Sequence, residues 1–98
     1  MSEDDIGFAP PPFKPEEALL QLKRSLRDLQ LSERGPVFEL RGKRVLELRV
    51  DGTSIAARIA RKLALTPEWD AQKLSSAADV RKLIDEIKRR LARWDREE

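Results

Sequence analysis

Between Thr53 and Leu65 the chain carries Arg58, Arg61 and Lys62 and no acidic residue. Elsewhere bases and acids lie close together, so this stretch alone holds positive charge without a local counterweight. Cations grouped in this way can neutralise phosphates or meet an acidic protein surface. Read as a helix over 54–65, at about 100° per residue, the segment puts Ile55, Ala56, Ile59, Ala60 and Leu63 on one side. Arg58, Arg61 and Lys62 then share the other side. The plainer alternative is that acids elsewhere in the fold balance them, with Glu68 and Asp70 the nearest candidates.

Other chemistry is poorly provided for. The sequence has no Cys, His or Tyr, which removes thiol chemistry, imidazole general-base catalysis and any His- or Cys-ligated metal. Asp85 and Glu86 have basic residues one helical turn away on both sides (Arg81 and Arg89, Lys82 and Arg90), the pattern of a solvated helix face rather than a catalytic pair. Ser25, Ser54 and Ser75 lack an activating base. Gly52-Thr53-Ser54 precedes the basic segment without either nucleotide-binding glycine pattern, and reads as a turn followed by a cap. The run Lys88-Arg89-Arg90-Leu91-Ala92-Arg93 is dense in charge, but it sits where a helix dipole favours cations. A DNA-reading helix-turn-helix over 54–74 would carry Glu68 and Asp70 on its reading segment, which argues against it. The expectation is therefore a protein that is not an enzyme and holds no cofactor and no metal ion.

The 98 residues allow one domain, which at this size buries only about 60–65% of the surface its unfolded chain exposes. Residues 1–14 lack periodicity and include Pro10, Pro11 and Pro12, predicting a disordered Pro-rich tail before a single domain over 15–96. Pro12-Phe13-Lys14-Pro15 fits the P-x-x-P pattern, with a stiff tail resting on the domain as the alternative. A helix is expected from Pro15, with Leu19, Leu22, Leu26 and Leu29 on one face and Gly35-Pro36 as its breakers. Leu20 and Leu31 fall off that stripe. Residues 37–50 alternate and predict a hairpin. Matching apolar faces would set Leu40 against Leu46 and Phe38 against Leu48, through a three-residue loop Gly42–Arg44 or a bulge near Gly42. Glu39, Arg41, Glu47 and Arg49 would then face water. After the basic helix, Thr66 and Pro67 predict a short helical turn to about Lys73 anchored by Trp69. Ser76-Ala77-Ala78-Asp79 resembles a capping box and opens a last helix with Val80, Leu83, Ile84, Ile87, Leu91 and Trp94 in one stripe.

The expected fold is thus α+β: a helix, a two-stranded antiparallel hairpin, then two to three helices packed on one face of that hairpin. The function expected is a non-catalytic protein-protein interaction module with an unknown protein partner. The alternative is a nucleic-acid-binding accessory protein using Arg58, Arg61 and Lys62 on the 54–65 helix. A hairpin of two strands leaves its edges open, so a weak homodimer through Val45–Val50 is a further expectation. No apolar run is long enough to span a membrane, and the acidic start is unlike a secretory signal, which makes the cytoplasm the expected compartment.

Overall fold

A computed structural model describes residues 13–97. It contains α1 (Pro15–Asp28), β1 (Ser32–Arg34), β2 (Val37–Leu40), β3 (Lys43–Asp51), β4 (Ser54–Ala60), β5 (Trp69–Leu74) and α2 (Ala77–Glu97). The strands form one five-stranded antiparallel meander in the order β1-β2-β3-β4-β5. The α+β class stands, but the two-stranded hairpin with two to three following helices does not. The segment expected as a basic helix is β4, and the segment expected as a short helical turn is β5. Most of the Pro-rich tail lies outside the described residues. Of the tail's last two residues, Phe13 packs against the core and Lys14 is exposed; Pro15, which closes the P-x-x-P pattern and opens α1, is buried.

The error at β4 has a simple cause. A spacing of four residues, as between Ile55 and Ile59, suits one helical face and one strand face equally. Alanines at 56, 57 and 60 do not discriminate. Ile55, Ala57 and Ile59 are buried and alternate with exposed Ala56 and Arg58, and Ser54 and Ala60 at the strand ends are buried as well. Asp51-Gly52-Thr53-Ser54 is accordingly a hairpin turn, Asp51 pairing with Ser54 and Gly52 at φ 64°. The Ser54 hydroxyl donates to the Asp51 carbonyl at 3.0 Å rather than capping a helix. Glycine at the first of the two central turn positions is a recognised hairpin signal.

The first hairpin is also shifted from expectation. Phe38 pairs with Leu46, and Leu40 with Lys43, around a two-residue turn in which both Arg41 (φ 55°) and Gly42 (φ 80°) lie in the left-handed region. Such a turn splits the apolar face unless one residue is absorbed. A bulge does this: Phe38 faces Leu46 while Glu39 faces Arg44, leaving Val45 as the extra residue. Val45 and Leu46 are consequently both buried. The bulge was expected near Gly42; it falls farther along β3.

The helix start at Pro15 is as expected; its end is earlier. Leu31 N–H donates to the Leu26 carbonyl and Gln30 N–H to that of Arg27, a Schellman closure with Gln30 at φ 72°. Leu31 thereby folds back and is buried beside Leu26, while Leu20 stays exposed. Gly35 and Pro36, expected to break this helix, make the β1–β2 turn. At the other end of the chain, Asp79 N–H donates to the Ser76 hydroxyl at 3.1 Å. The Asp79 carboxylate reaches back one residue farther than in a standard box and accepts from Ser75 N–H at 2.9 Å.

Both helices cover the same face of the sheet, α1 against β3 and β4, and α2 against β5 and α1. Leu22 and Leu26 from α1, and Leu83, Ile87 and Trp94 from α2, meet Phe38, Leu46, Leu48, Ile55, Ile59 and Leu74. Val50, expected in the core, is exposed at the end of β3. Among the described residues no helix is long and apolar enough to cross a membrane.

Two stability outcomes follow from this packing. Ile87→Ala, at 3% exposure, should lose about 2–5 kcal/mol in urea unfolding, and Ile84→Ala less, because Ile84 is only half-buried. Gln30→Gly should gain about 0.5–1 kcal/mol by relieving the left-handed backbone of a non-glycine residue; a loss would mean the Gln30 side chain contributes more than its backbone costs.

Candidate functional site

With both helices on one side, the other face of the sheet is left uncovered by them. Paired residues in antiparallel strands project to the same side, so the ladder assigns this face directly. It carries Ser32 and Arg34 on β1, Val37 and Glu39 on β2, Arg44, Glu47, Arg49 and Asp51 on β3, Ser54, Ala56, Arg58 and Ala60 on β4, and Trp69, Ala71 and Lys73 on β5. Cations outnumber carboxylates here. Glu39 is paired with Arg34 at 3.3 Å. Glu47 lies near the centre and is shared, one oxygen accepting from Arg58 Nη1 at 2.9 Å and the other from Arg49 at 2.9 Å. Arg44 and Lys73 have no ion pair among the described residues.

Arg58 also lies over Trp69, its guanidinium carbon 4.8 Å from the ring centroid. The register explains this: Arg58 pairs with Ala71, and Trp69 is the diagonal neighbour on the same face. An arginine held by a carboxylate at one end and an indole along its flat side is oriented rather than free. Around it stand Ala56 and Ala71, both exposed, which leave the planar groups unshielded.

The three cations singled out in the sequence are therefore separated. Arg58 belongs to the open sheet face. Arg61 and Lys62 begin the irregular connection that leads to β5, and no helical face joins them to Arg58. Arg61 is balanced as the plainer reading expected: its Nε donates to Asp70 at 2.8 Å, with Glu68 at 3.5 Å. Lys62 is exposed and has no ion pair among the described residues. Val45–Val50, expected as an open edge, is flanked by β2 and β4 and is internal, so that route to a homodimer is closed. Sequence reasoning missed Trp69, placed in a helical turn, and Arg44 and Lys73. For Trp69 and Lys73 the signal was the alternation of Trp69, Ala71 and Lys73 with Asp70, Gln72 and Leu74, which is weak because no β-branched residue marks the strand. Arg44 lay in the expected Gly42–Arg44 loop and is in β3.

Asp70 belongs to a second, structural constellation. Arg90 of α2, with its side chain 13% exposed, donates to Asp70 at 2.9 Å, to Glu86 at 2.7 Å and to the Ala60 carbonyl at 2.9 Å. One guanidinium thus ties α2 to the end of β4 and the start of β5. Hydrogen bonds from Arg61 and then Arg90 hold Asp70 below the usual carboxylate range. Those from Arg90 and then Arg89 do the same for Glu86, and Lys23, helped by Arg27, does so for Glu33. Partial burial works against the charge on Arg90, but its bonds to Glu86 and Asp70 outweigh this and raise its pKa. Among the described residues no group of three acidic side chains could hold a metal ion.

These shifts set the pH response. A carboxylate with a folded pKa below its unfolded one contributes stability that is fully present above about pH 4 and lost as pH falls through the folded value. With no His in the chain, the melting temperature should be flat from about pH 6 to 8 and fall below about pH 4. Arg90→Gln should cost about 1–3 kcal/mol at neutral pH and make the acid limb shallower, since Asp70 and Glu86 then titrate nearer their ordinary values. An acid limb of unchanged steepness would count against the Arg90 clamp.

No family model, no curated protein and no solved structure matches this chain, so the functional reading rests on the geometry above.

Proposed function

We propose that the chain is a non-catalytic binding protein for single-stranded nucleic acid, with the uncovered face of the sheet as its platform. The observation that carries this reading is the stacked pair Arg58–Trp69 on a face with surplus positive charge. Single strands are bound without sequence preference by cations that follow the phosphates and planar side chains on which bases stack. Arg44, Arg49 and Lys73 supply the first element. The Trp69 ring and the outer plane of the Arg58 guanidinium supply the second, since bases stack on arginine as well as on aromatic rings.

The protein-binding reading fits this face less well. The centre of a protein interface is depleted in charge and enriched in large apolar groups. Here the centre holds Glu47, Arg49 and Arg58, with small Ala56 and Ala71 between them. Duplex DNA is also a poorer fit, because a broad sheet face does not enter a groove as a helix or two-stranded ribbon does.

Fluorescence anisotropy with a labelled oligonucleotide of mixed sequence, titrated with salt, tests the proposal. Affinity should fall steeply with salt, and replacing Arg44, Arg49 and Lys73 by Gln should flatten the log-affinity against log-salt slope by up to about two units. Trp69→Leu, which keeps apolar bulk but removes the ring, should weaken binding by about 1–3 kcal/mol at every salt concentration. Absence of binding at low salt, or binding indifferent to these substitutions, would reject the platform. A protein captured through the same residues after nuclease treatment, with no oligonucleotide bound, would return the protein-interaction reading to first place.

A further inference from the structure

The meander ends in two edges of unequal character. β1 is three residues long and carries Glu33 and Arg34, and a short, charged edge of this kind discourages pairing. β5 is six residues long and contains no Pro; its pairing with β4 runs in unbroken register. Its outward groups can be identified. Arg61 N–H donates to the Glu68 carbonyl at 2.9 Å, and the same ladder continues through Ile59–Asp70 and Ala57–Gln72. Alternation of hydrogen-bonded and non-hydrogen-bonded pairs then turns the amides and carbonyls of Asp70, Gln72 and Leu74 towards β4. Those of Trp69, Ala71 and Lys73 point away from the sheet, where no backbone partner takes them up among the described residues.

We infer that β5 is a self-association edge and that its partner is β5 of a second copy, antiparallel about a two-fold axis at Ala71. Symmetry and side-chain facing restrict the register. Paired residues must project to the same side, so the axis falls on a residue and not between two. Centred on Ala71, the pairing sets Ala71 against the second copy's Ala71 and Trp69 against its Lys73. Every outward amide and carbonyl of Trp69, Ala71 and Lys73 is then satisfied. Lys73, which has no ion pair among the described residues, arrives beside the Trp69 ring as a cation facing an aromatic. Asp70, on the covered side, meets Gln72, a polar pair with no clash of charge. Centred on Gln72 instead, the arrangement would place Asp70 against Leu74 and leave Trp69 without a cation. Ala71 is exposed and small, so the axis is sterically open. The result is a single sheet continuous across both copies, with the uncovered faces joined. This inference does not rest on the nucleic-acid reading, because it is measured on the protein alone.

Sedimentation equilibrium of the full chain, from low micromolar to near-millimolar concentration, should show a monomer–dimer equilibrium. Ala71→Pro removes an outward amide that takes no part in pairing with β4, and prolines are tolerated at such edge positions. It should weaken dimerisation roughly tenfold or more while far-UV circular dichroism shows the fold retained. Ala71→Glu and Ala71→Lys provide a second route that needs no proline. Each places like charges directly opposite at the axis and should dimerise less well, whereas an equimolar mixture should recover the dimer as a heterodimer. A wild-type chain that remains monomeric throughout would overturn the inference. So would a folded Ala71→Pro chain that dimerises as wild type, or a Glu/Lys mixture that recovers nothing. Pairing of β5 with an unrelated extended peptide in preference to its own copy would equally refute the second copy as occupant.

Discussion

A five-stranded sheet has two faces, and a chain of 98 residues has the apolar side chains to bury one of them. This one-sidedness governs the rest of the molecule. Leu22 and Leu26 of α1 and Leu83, Ile87 and Trp94 of α2 are all spent on the same side, against Phe38, Leu46, Ile55 and Ile59. From Leu46 to Arg49 on β3 and from Ile55 to Ile59 on β4 the side chains then alternate, apolar inward and polar or small outward, as antiparallel sheets exposed on one face do. β5, by contrast, turns Asp70 and Gln72 inward. The outward positions, freed from packing, are where surplus charge accumulates.

Covering one face with helices at opposite ends of the chain requires that they be held in place. α1 follows its Schellman closure directly into β1, so its direction is set locally by Leu26, Gln30 and Leu31. α2 is fixed at its start by its cap, and its far half is held by Arg90 on Asp70 and the Ala60 carbonyl and by Arg93 on the Arg61 carbonyl. Asp70 therefore serves two purposes: it anchors α2 and it neutralises Arg61. Charges that look alike in sequence are sorted in this way into those spent on the fold, such as Arg61 and Arg90, and those left on the surface, such as Arg44, Lys73 and Lys62.

Much of the helical structure was legible because its signals are local. Pro15 at a helix start, the Ser76–Asp79 cap and the stripe from Val80 to Trp94 each involve residues within a turn or a few turns of one another. The strands were legible only where β-branched residues and strict alternation coincided, at 37–50. At 54–60 the alanines and the four-residue Ile55–Ile59 spacing fit either period. At 69–74 the sequence Trp-Asp-Ala-Gln-Lys-Leu has no β-branched residue, and Trp69 is its one strand former. Misreading these two segments as helical also displaced the candidate site, because it grouped Arg58 with Arg61 and Lys62 and concealed Trp69.

What the sequence determined by itself was the class of the domain, the amphipathic faces of its helices, the turn positions at Gly42 and Gly52, and the poverty of catalytic groups. These depend on composition and on interactions between near neighbours in the chain. Only the tertiary structure decided that 54–60 and 69–74 are strands, that the hairpin register absorbs Val45 in a bulge, and that Arg58 lies on Trp69 while Arg61 is bound to Asp70. Each of those outcomes is settled by hydrogen bonding and burial between one strand and the next, beyond the reach of a single helical turn, where pairing with an existing strand outweighs a weak local preference for helix.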